Sequence, residues 1–179
     1  MEEIKPSYTR VTTPLQIFNN FDAIRPEVLQ HAADRGTSVH NYCACIARDE
    51  YFPDPDEEAS PYIQSFREWF EKMVDKVELV EKRLYNDDLM LTGAIDLVCT
   101  IRGSSTPVVI DIKTPQTKSR SWNLQLAAYR YLYGENEDPR RIALQLQKTG
   151  KIAKIVEYRD HERDWKLYLS ALQLYRYFN

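Results

Sequence analysis

Residues 91–113 read LTGAIDLVCTIRGSSTPVVIDIK, and this stretch sets the pattern of the protein's sheet. It holds most of one long apolar run, Leu89–Ile101, and all of a shorter one, Val108–Lys113, with the polar residues 102–105 between them. Apolar runs of this length, rich in β-branched residues and bounded by turn residues, are typical of β-strands. The stretch therefore predicts two strands joined by a turn.

Three charged side chains interrupt these apolar strands. Side chains alternate along a strand, so Asp111 and Lys113 share one face while Ile112 points to the other. If Asp96 lies on the neighbouring antiparallel strand, two carboxylates and one ammonium group converge. Hard oxygen ligands suit Mg²⁺ or Mn²⁺, and a lysine beside them can orient water or neutralise charge on a phosphate. The chemistry that fits is phosphodiester hydrolysis.

The alternative for the same residues is an ion pair at a strand end, which is common in proteins and worth little stability. The apolar neighbours favour the functional interpretation, because buried carboxylates need a metal or a cation beside them.

The pattern outside this stretch predicts helices on both sides of a sheet. A helical region over Pro26–Glu50, broken or bent near Gly36, precedes a second helix that Ser60 caps. The following elements are a strand over Val77–Tyr85, a helix from Ser121 to Tyr133 that ends at Gly134, a hairpin of Arg141–Gln147 with Ile152–Tyr158, and an amphipathic helix over His161–Phe178. The strands 77–85, 89–101 and 108–113 form a three-stranded meander.

Composition restricts the class of protein. The chain has 179 residues, of which 43% are hydrophobic, and carries a formal net charge of −3. This is the size of one globular domain, and no run of about 18 apolar residues indicates a membrane span. Three cysteines without a paired CxxC spacing argue against a disulfide framework or a thiolate metal site. The acidic start at Met1–Glu3 lacks the pattern of a secretion signal, so a cytoplasmic location in a bacterial or phage-infected cell is expected.

Four short motifs in order resemble the PD-(D/E)xK nuclease superfamily, in particular its RecB-like exonuclease branch, which includes phage and mitochondrial genome-maintenance exonucleases. The motifs are Arg35–His40, Gly93–Asp96, Val109–Lys113 and Gln125–Tyr129. The resemblance implies an α/β fold with a restriction-endonuclease-like core, in which helices flank a mixed central sheet, preceded by a helical amino-terminal part. We expect a single nuclease domain over residues 1–179, with the helical part at 1–75 and the catalytic core at 76–179.

The same resemblance implies roles for individual residues. His40, Asp96, Asp111 and the main-chain carbonyl of Ile112 would bind Mg²⁺ or Mn²⁺, and Lys113 would be the catalytic lysine. Gln125 and Tyr129 match a downstream helix motif; their spacing of four also places them on one helical face, where an amide and a phenol could hold the lysine, a water or a phosphate. Some members of the branch carry a four-cysteine iron–sulfur cluster, and since no cysteine follows Cys99, no cluster is expected here.

Further contacts are predicted from charge and position. Glu81 is a candidate extra carboxylate for the metal, although Glu78 shares the strand and faces the opposite way. Candidate DNA contacts are Lys118, Arg120, Trp122, Lys148 and Lys151, the last two within a basic hairpin that extends from Arg140 to Lys154. The alternatives are a solvated charged face for the lysines and a core position for Trp122.

Taken together, the sequence predicts a metal-dependent DNA exonuclease that acts in DNA repair, recombination or phage DNA processing. The alternatives are an endonuclease of the same superfamily and an inactive nucleic-acid-binding module. Expected partners are DNA, single-stranded or with free ends, and a repair or recombination protein. No phosphate-binding GxxxxGK[ST] loop is present, so no nucleotide cofactor is expected, and no membrane partner is expected either.

Overall fold

A computed structural model of the protein describes residues 8–18, 24–134 and 138–179. Its helices are α1 (Pro26–Arg48), α2 (Ser60–Met73), α3 (Trp122–Tyr133) and α4 (His161–Phe178), with a 3₁₀ turn at Pro14–Phe18. Its strands are β1 (Thr9–Arg10), β2 (Val74–Asn86), β3 (Leu91–Ile101), β4 (Pro107–Lys113), β5 (Arg140–Gln145) and β6 (Lys154–Glu157). The predicted α/β fold class is confirmed.

The six strands form one mixed sheet. Strands β2, β3 and β4 pair antiparallel, as the predicted meander requires, and β4 then pairs parallel with β5. Strand β6 closes the far edge by pairing antiparallel with β5. Because β4 and β5 are parallel, the loops that follow them leave from the same end of the sheet.

Helices cover both faces of the sheet, and β4 shows how the faces are divided. Val108, Ile110 and Ile112 pack in one apolar cluster with α1 and α2, whereas Val109 packs in another with α3 and α4. The alternation along β4 therefore turns Asp111 and Lys113 towards the α3 side of the sheet.

Helix α1 differs from its prediction, because it runs unbroken through Gly36. A glycine in a helix interior costs only about 1 kcal/mol, which the packing of a 23-residue helix outweighs. A Cβ at Gly36 would have Thr114 Oγ1 as its nearest neighbour, at 3.7 Å. Gly36 thus marks where α1 passes the loop after β4 rather than a bend.

The start of α2 also differs in detail. The helix begins at Ser60, but its N-cap residue is Ala59, and no side chain caps it. The Asp56 side chain instead accepts a hydrogen bond from the Ala59 N–H at 2.7 Å. The acidic loop before α2 therefore supplies the carboxylate that favours a helix N-terminus.

Some details of the sheet differ from the prediction. Strand β1 pairs parallel with Leu91 and Thr92 at the start of β3, which brings the amino-terminal part into the sheet. Strand β2 begins at Val74, three residues before the predicted start at Val77. The loop between β5 and β6 spans residues 146–153 and docks on α2, where Ser65 Oγ accepts the Gln147 N–H at 2.9 Å.

Candidate active site

The strands β3 and β4 separate where the charged residues lie. Their pairing runs from Thr100 with Pro107 to Leu97 with Ile110 and ends there, although β4 continues beside β5 to Lys113. Beyond the last pair, Asp96 Oδ2 accepts the backbone N–H of Ile112 at 2.6 Å. A side chain has thus taken the place of the next strand-to-strand hydrogen bond, and the gap exposes the Asp96 carboxylate to neighbouring groups.

Glu81 approaches Asp96 from the other side. The flanking pairs of β2 with β3, Val80 with Leu97 and Lys82 with Ile95, place Glu81 across from Asp96. Glu81 has a φ of 49°, in the left-handed region that costs an L-residue roughly 1–2 kcal/mol. Residues with strained backbone cluster at functional sites.

His40 completes this group from α1. Its Nδ1 lies 3.5 Å from Asp96 Oδ2 and 3.9 Å from Glu81 Oε1. The neighbouring residues Val39 and Cys43 are fully buried against the sheet, and this packing holds the histidine at the gap between β3 and β4.

The three side chains fit a divalent cation. One ligand atom from each of His40, Glu81 and Asp96 lies within 4.8 Å of the other two. One imidazole nitrogen and two carboxylate oxygens form a donor set that suits Mn²⁺ or Mg²⁺. The geometry thus brings the histidine and one aspartate predicted from sequence together with Glu81, which was a secondary candidate.

Asp111 is nearby but is engaged differently. It is 2% exposed, and its Oδ2 forms an ion pair with Lys113 Nζ at 2.5 Å. Its Oδ1 accepts a hydrogen bond from Gln125 Nε2 at 2.9 Å. Asp111 is therefore outside the three-residue group, and ligation by Asp111 and by the Ile112 carbonyl stays a prediction.

Gln125 links the charged pair to helix α3. Its Oε1 accepts a hydrogen bond from Lys113 Nζ at 3.0 Å, while its Nε2 donates to Asp111 and, at 3.0 Å, to Tyr129 Oη. The one amide thus positions both Asp111 and Lys113. The spacing of Gln125 and Tyr129 predicted this shared face, and the structure brings both into the site.

Gly93 makes room for this arrangement. A Cβ added there would lie 2.7 Å from Tyr129 Cε1, closer than Cβ atoms approach other atoms in proteins, and in tight contact with Val11 Cγ2 at 3.0 Å. Only glycine lets α3 lie this near to β3, so Gly93 sets the depth at which Tyr129 and Gln125 enter the site.

The electrostatics of the cluster reflect crowded carboxylates. Burial alone would lower the pKa of His40, but the charge and hydrogen bond of Asp96 raise it to about 9. Burial, with the charge of Asp96, raises the pKa of Glu81 to about 7. Burial likewise raises the pKa of Asp111 to about 6 against the opposing effect of Lys113. A bound cation would relieve this excess of negative charge, which is a second reason that the residues fit a metal.

The candidate DNA contacts divide into two groups. Lys118, Arg120, Lys148 and Lys151 are exposed, on the loops that follow β4 and β5 at the Lys113 end of the sheet. Trp122 is 4% exposed, and Lys113 Nζ lies 5.8 Å from its ring centroid. Trp122 thus lines the lysine's surroundings and presents no open face to solvent.

Arg141, part of the predicted basic hairpin, is buried. It is 1% exposed, donates to Asp164 Oδ2 at 3.1 Å and to the Asn123 carbonyl oxygen at 3.1 Å. Asn123 Nδ2 in turn donates to Asp164 Oδ1 at 2.7 Å. Strand alternation places Arg141 on the same face of β5 as Ala143, towards α3 and α4.

A family model of the PD-(D/E)XK nuclease superfamily matches residues 17–177. Among solved structures, one described as "Crystal structure of SSO0001" is 15% identical, with a TM-score of 0.46 over 97% of this chain and 79% of that one. A search of curated proteins found no match. Among the described residues, no helix combines the length and apolarity that crossing a membrane requires.

Proposed function

Because this chain belongs to the PD-(D/E)XK nuclease superfamily, we propose that it is a metal-dependent DNA exonuclease. Membership supports a metal-dependent nuclease with a nucleic acid substrate. The proposal adds DNA as substrate, cleavage from an end, and a place in the RecB-like branch, on the resemblance of the motifs Arg35–His40, Gly93–Asp96, Val109–Lys113 and Gln125–Tyr129.

One observation carries the proposal. A lysine held by Asp111 and Gln125 lies beside a histidine and two carboxylates that fit a metal. A protein built for stability alone would gain by replacing such buried charges with apolar residues. Metal-assisted phosphodiester hydrolysis needs these groups together, because a negative phosphate must be approached by water and its developing charge stabilised.

The residues that would hold Mg²⁺ or Mn²⁺ are His40, Glu81 and Asp96, with Asp111 and the Ile112 carbonyl implied by the family. When bound, such a cation acts as a Lewis acid towards a phosphoryl oxygen and makes water more acidic. Asp96 and Asp111 are buried, so their carboxylates would attract a cation more strongly than exposed carboxylates would. Charges interact more strongly away from bulk water.

Lys113 has a defined part in the reaction. Its ammonium carries three N–H groups, of which one points to Asp111 and one to Gln125. The third remains to donate to the attacking water or to a phosphate oxygen. Hydrolysis then forms a bond between the water oxygen and phosphorus and breaks the bond to the leaving oxygen, which takes up a proton.

Nucleic acid binding would fall to the loops around this end of the sheet. Lys118, Arg120, Lys148 and Lys151, which are exposed, would contact backbone phosphates. We further propose that the protein acts in the cytoplasm, in repair, recombination or phage DNA processing, with a partner protein of one of these pathways.

The test is cleavage of single- and double-stranded DNA labelled at either end, with Mg²⁺, Mn²⁺ or EDTA. Lys113→Ala should abolish cleavage and leave DNA binding intact. Lys72→Ala is the matched control. Lys72 is an exposed lysine on α2 that pairs with Glu68 and belongs to none of the proposed site residues.

Metal-dependent, progressive shortening that only Lys113→Ala abolishes would support the exonuclease, and the first label released gives its polarity. Discrete internal cuts would instead establish the endonuclease alternative. Absence of cleavage on DNA and on RNA, with binding retained, would replace both with the inactive binding module.

A further inference from the structure

A second group of charged residues lies at the end of the sheet opposite Lys113. A cavity of about 330 Å³ is bounded by Arg130 on α3, by Arg140 and Arg141 at the start of β5, and by Glu157 and Arg159 at the end of β6. Arg140 precedes Ala143, the partner of Asp111, by three residues, which is about 10 Å along a strand. The cavity is thus separate from the candidate active site.

Arginine predominates over carboxylate in this cavity. Four arginines line it, against the carboxylates of Asp138 and Glu157. Glu157 is shared, because its Oε1 accepts from Arg140 Nε at 2.7 Å and its Oε2 from Arg159 Nη2 at 3.0 Å. These two arginines hold the pKa of Glu157 below its ordinary value. Two guanidinium groups therefore face a single carboxylate.

Two arginines of the cavity have guanidinium N–H groups left to donate to a further anion. Among the described residues, the side chain of Arg140 donates through Nε alone, which leaves both of its terminal nitrogens. Arg130 pairs with Asp138 through Nη2 at 2.6 Å, and its buried Nε has no hydrogen-bond partner within the described part of the chain. A buried donor without a partner costs free energy that a bound acceptor would recover.

The pairing of two arginines with Glu157 adds little to the stability of the fold. Arg159 is 87% exposed, so its ion pair with Glu157 is screened by solvent and worth little. One arginine would already neutralise Glu157. Arg130 is paired with Asp138 and Arg141 with Asp164, whereas Arg140 and Arg159 share Glu157. Among the described residues one of these two positive charges therefore lacks a counter-charge, and an anion bound beside Arg140 and Arg159 would supply it.

The geometry points to a second anion-binding site, in which Arg140, Arg159 and Arg130 bind a phosphate group outside the active site. The planar guanidinium fork matches the oxygens of phosphate in a bidentate manner. The source of that phosphate rests on the proposed function, under which it is the backbone of the nucleic acid strand. A free phosphate or a nucleotide offers the same chemistry.

The experiment measures binding without cleavage, in the full chain carrying Lys113→Ala. A fluorescent single-stranded oligonucleotide is titrated at several salt concentrations, and inorganic phosphate and a 5′-mononucleotide are titrated by calorimetry. The test variants are Arg140→Gln with Arg159→Gln, which removes donors, and Glu157→Gln, which removes the competing carboxylate. Lys72→Gln with Lys76→Gln is the charge-matched control, because it also removes two exposed positive charges. Circular dichroism verifies folding.

The double arginine variant should weaken oligonucleotide binding about three- to tenfold and reduce the slope of log Kd against log salt by about one. Glu157→Gln should tighten binding, an effect that damaged folding does not produce. Phosphate or mononucleotide binding that shows the same opposite responses would assign the site to a free phosphate group instead of the strand.

Unchanged binding of the oligonucleotide, phosphate and mononucleotide in all these variants would overturn the inference. The inorganic phosphate titration does not depend on nucleic acid or on catalysis, so it can succeed or fail independently of the proposed nuclease function.

Discussion

The carboxylate of Asp96 accepts a hydrogen bond from the backbone N–H of Ile112 at 2.6 Å, where strands β3 and β4 cease to pair. The bond holds the two strands at a fixed separation after their ladder has ended. It also orients the Asp96 carboxylate, whose Oδ2 lies 3.5 Å from His40 Nδ1. Asp96 therefore has two roles: it bridges the opening between β3 and β4, and it lies beside His40 in the candidate metal site.

Glu81 can be tested against a carboxylate on its own strand. Glu78 accepts a hydrogen bond from Tyr133 Oη at 2.7 Å, on the α3 side of the sheet. Mn²⁺ at 100 times its Kd should stabilise the parent by about 2.7 kcal/mol. Glu81→Gln should weaken Mn²⁺ binding by about tenfold or more, and Glu78→Gln should not. Thermal unfolding and calorimetry measure both; equal effects of the two variants would contradict the ligand assignment.

Gln125 is expected to position Asp111 and Lys113 without reacting itself. Gln125→Met keeps the shape but removes three hydrogen bonds, leaving buried Asp111 Oδ1 without its donor, at a cost of about 1–3 kcal/mol. We expect kcat to fall about 10- to 100-fold with little change in KM, because the lysine is misplaced in the transition state. Steady-state kinetics on labelled DNA separate the two constants. A change confined to KM would mean that Gln125 binds substrate instead.

The stability of the metal-free protein should fall as pH rises. A histidine whose pKa is raised from 6.5 to about 9 stabilises the fold fully below pH 6.5 and ceases to do so as pH passes 9. Glu81, whose pKa is raised from 4.5 to about 7, acts in the same direction over its own interval. The Tm in EDTA should therefore decrease between pH 6.5 and 9.

His40→Gln should flatten that decrease. Metal affinity should change in the opposite sense, rising with pH as the ligands lose their protons. A Tm in EDTA that increases over this interval would show that the carboxylates do not raise the pKa of His40.

The glycines at 93 and 36 should respond oppositely to alanine. At Gly93 the new Cβ would lie 2.7 Å from Tyr129 Cε1, and overpacking of this kind costs about 1–3 kcal/mol. At Gly36 the nearest atom would be 3.7 Å away, and alanine in a helix interior gains about 0.5–1 kcal/mol. Denaturant unfolding of Gly93→Ala and Gly36→Ala measures both signs; a stabilised Gly93→Ala would show that α3 can move away from β3.

Arg141 should be a structural residue rather than a DNA contact. Arg141→Met removes the buried ion-pair partner of Asp164, which is 2% exposed, and leaves its Oδ1 with Asn123 at 2.7 Å and the more exposed Arg163 at 3.6 Å. The loss should destabilise the fold by about 3 kcal/mol. Asp164→Leu in addition should recover part of that loss. Chemical denaturation provides the values, and a single variant within about 0.5 kcal/mol of the parent would refute the buried pair.

Local patterns account for the parts of the fold that the sequence predicted. The face shared by Asp111 and Lys113 follows from the alternation of a strand, and α4 spans His161–Phe178 as its periodicity indicated. The shared face of Gln125 and Tyr129 likewise depends only on helical spacing. These features need no knowledge of distant residues.

The features that were missed depend on contacts between distant segments. Strand β1 has two residues, too few for an alternating pattern, and exists because it pairs with Leu91 and Thr92. Glu81 was named as a secondary candidate, but its left-handed backbone is a feature that its residue type does not signal. Arg141 was grouped with exposed basic residues because its partner, Asp164, is 23 positions away.

The left-handed backbone at Glu81 has a consequence for protein engineering. Glycine adopts a φ of 49° without the roughly 1–2 kcal/mol that an L-residue loses there, so Glu81→Gly relieves strain while it deletes a carboxylate. A library selected only for heat resistance would thus enrich glycine at this position and discard a candidate metal ligand. Thermal stability and activity should therefore diverge at Glu81, because the substitution that relieves its backbone strain also removes a candidate metal ligand.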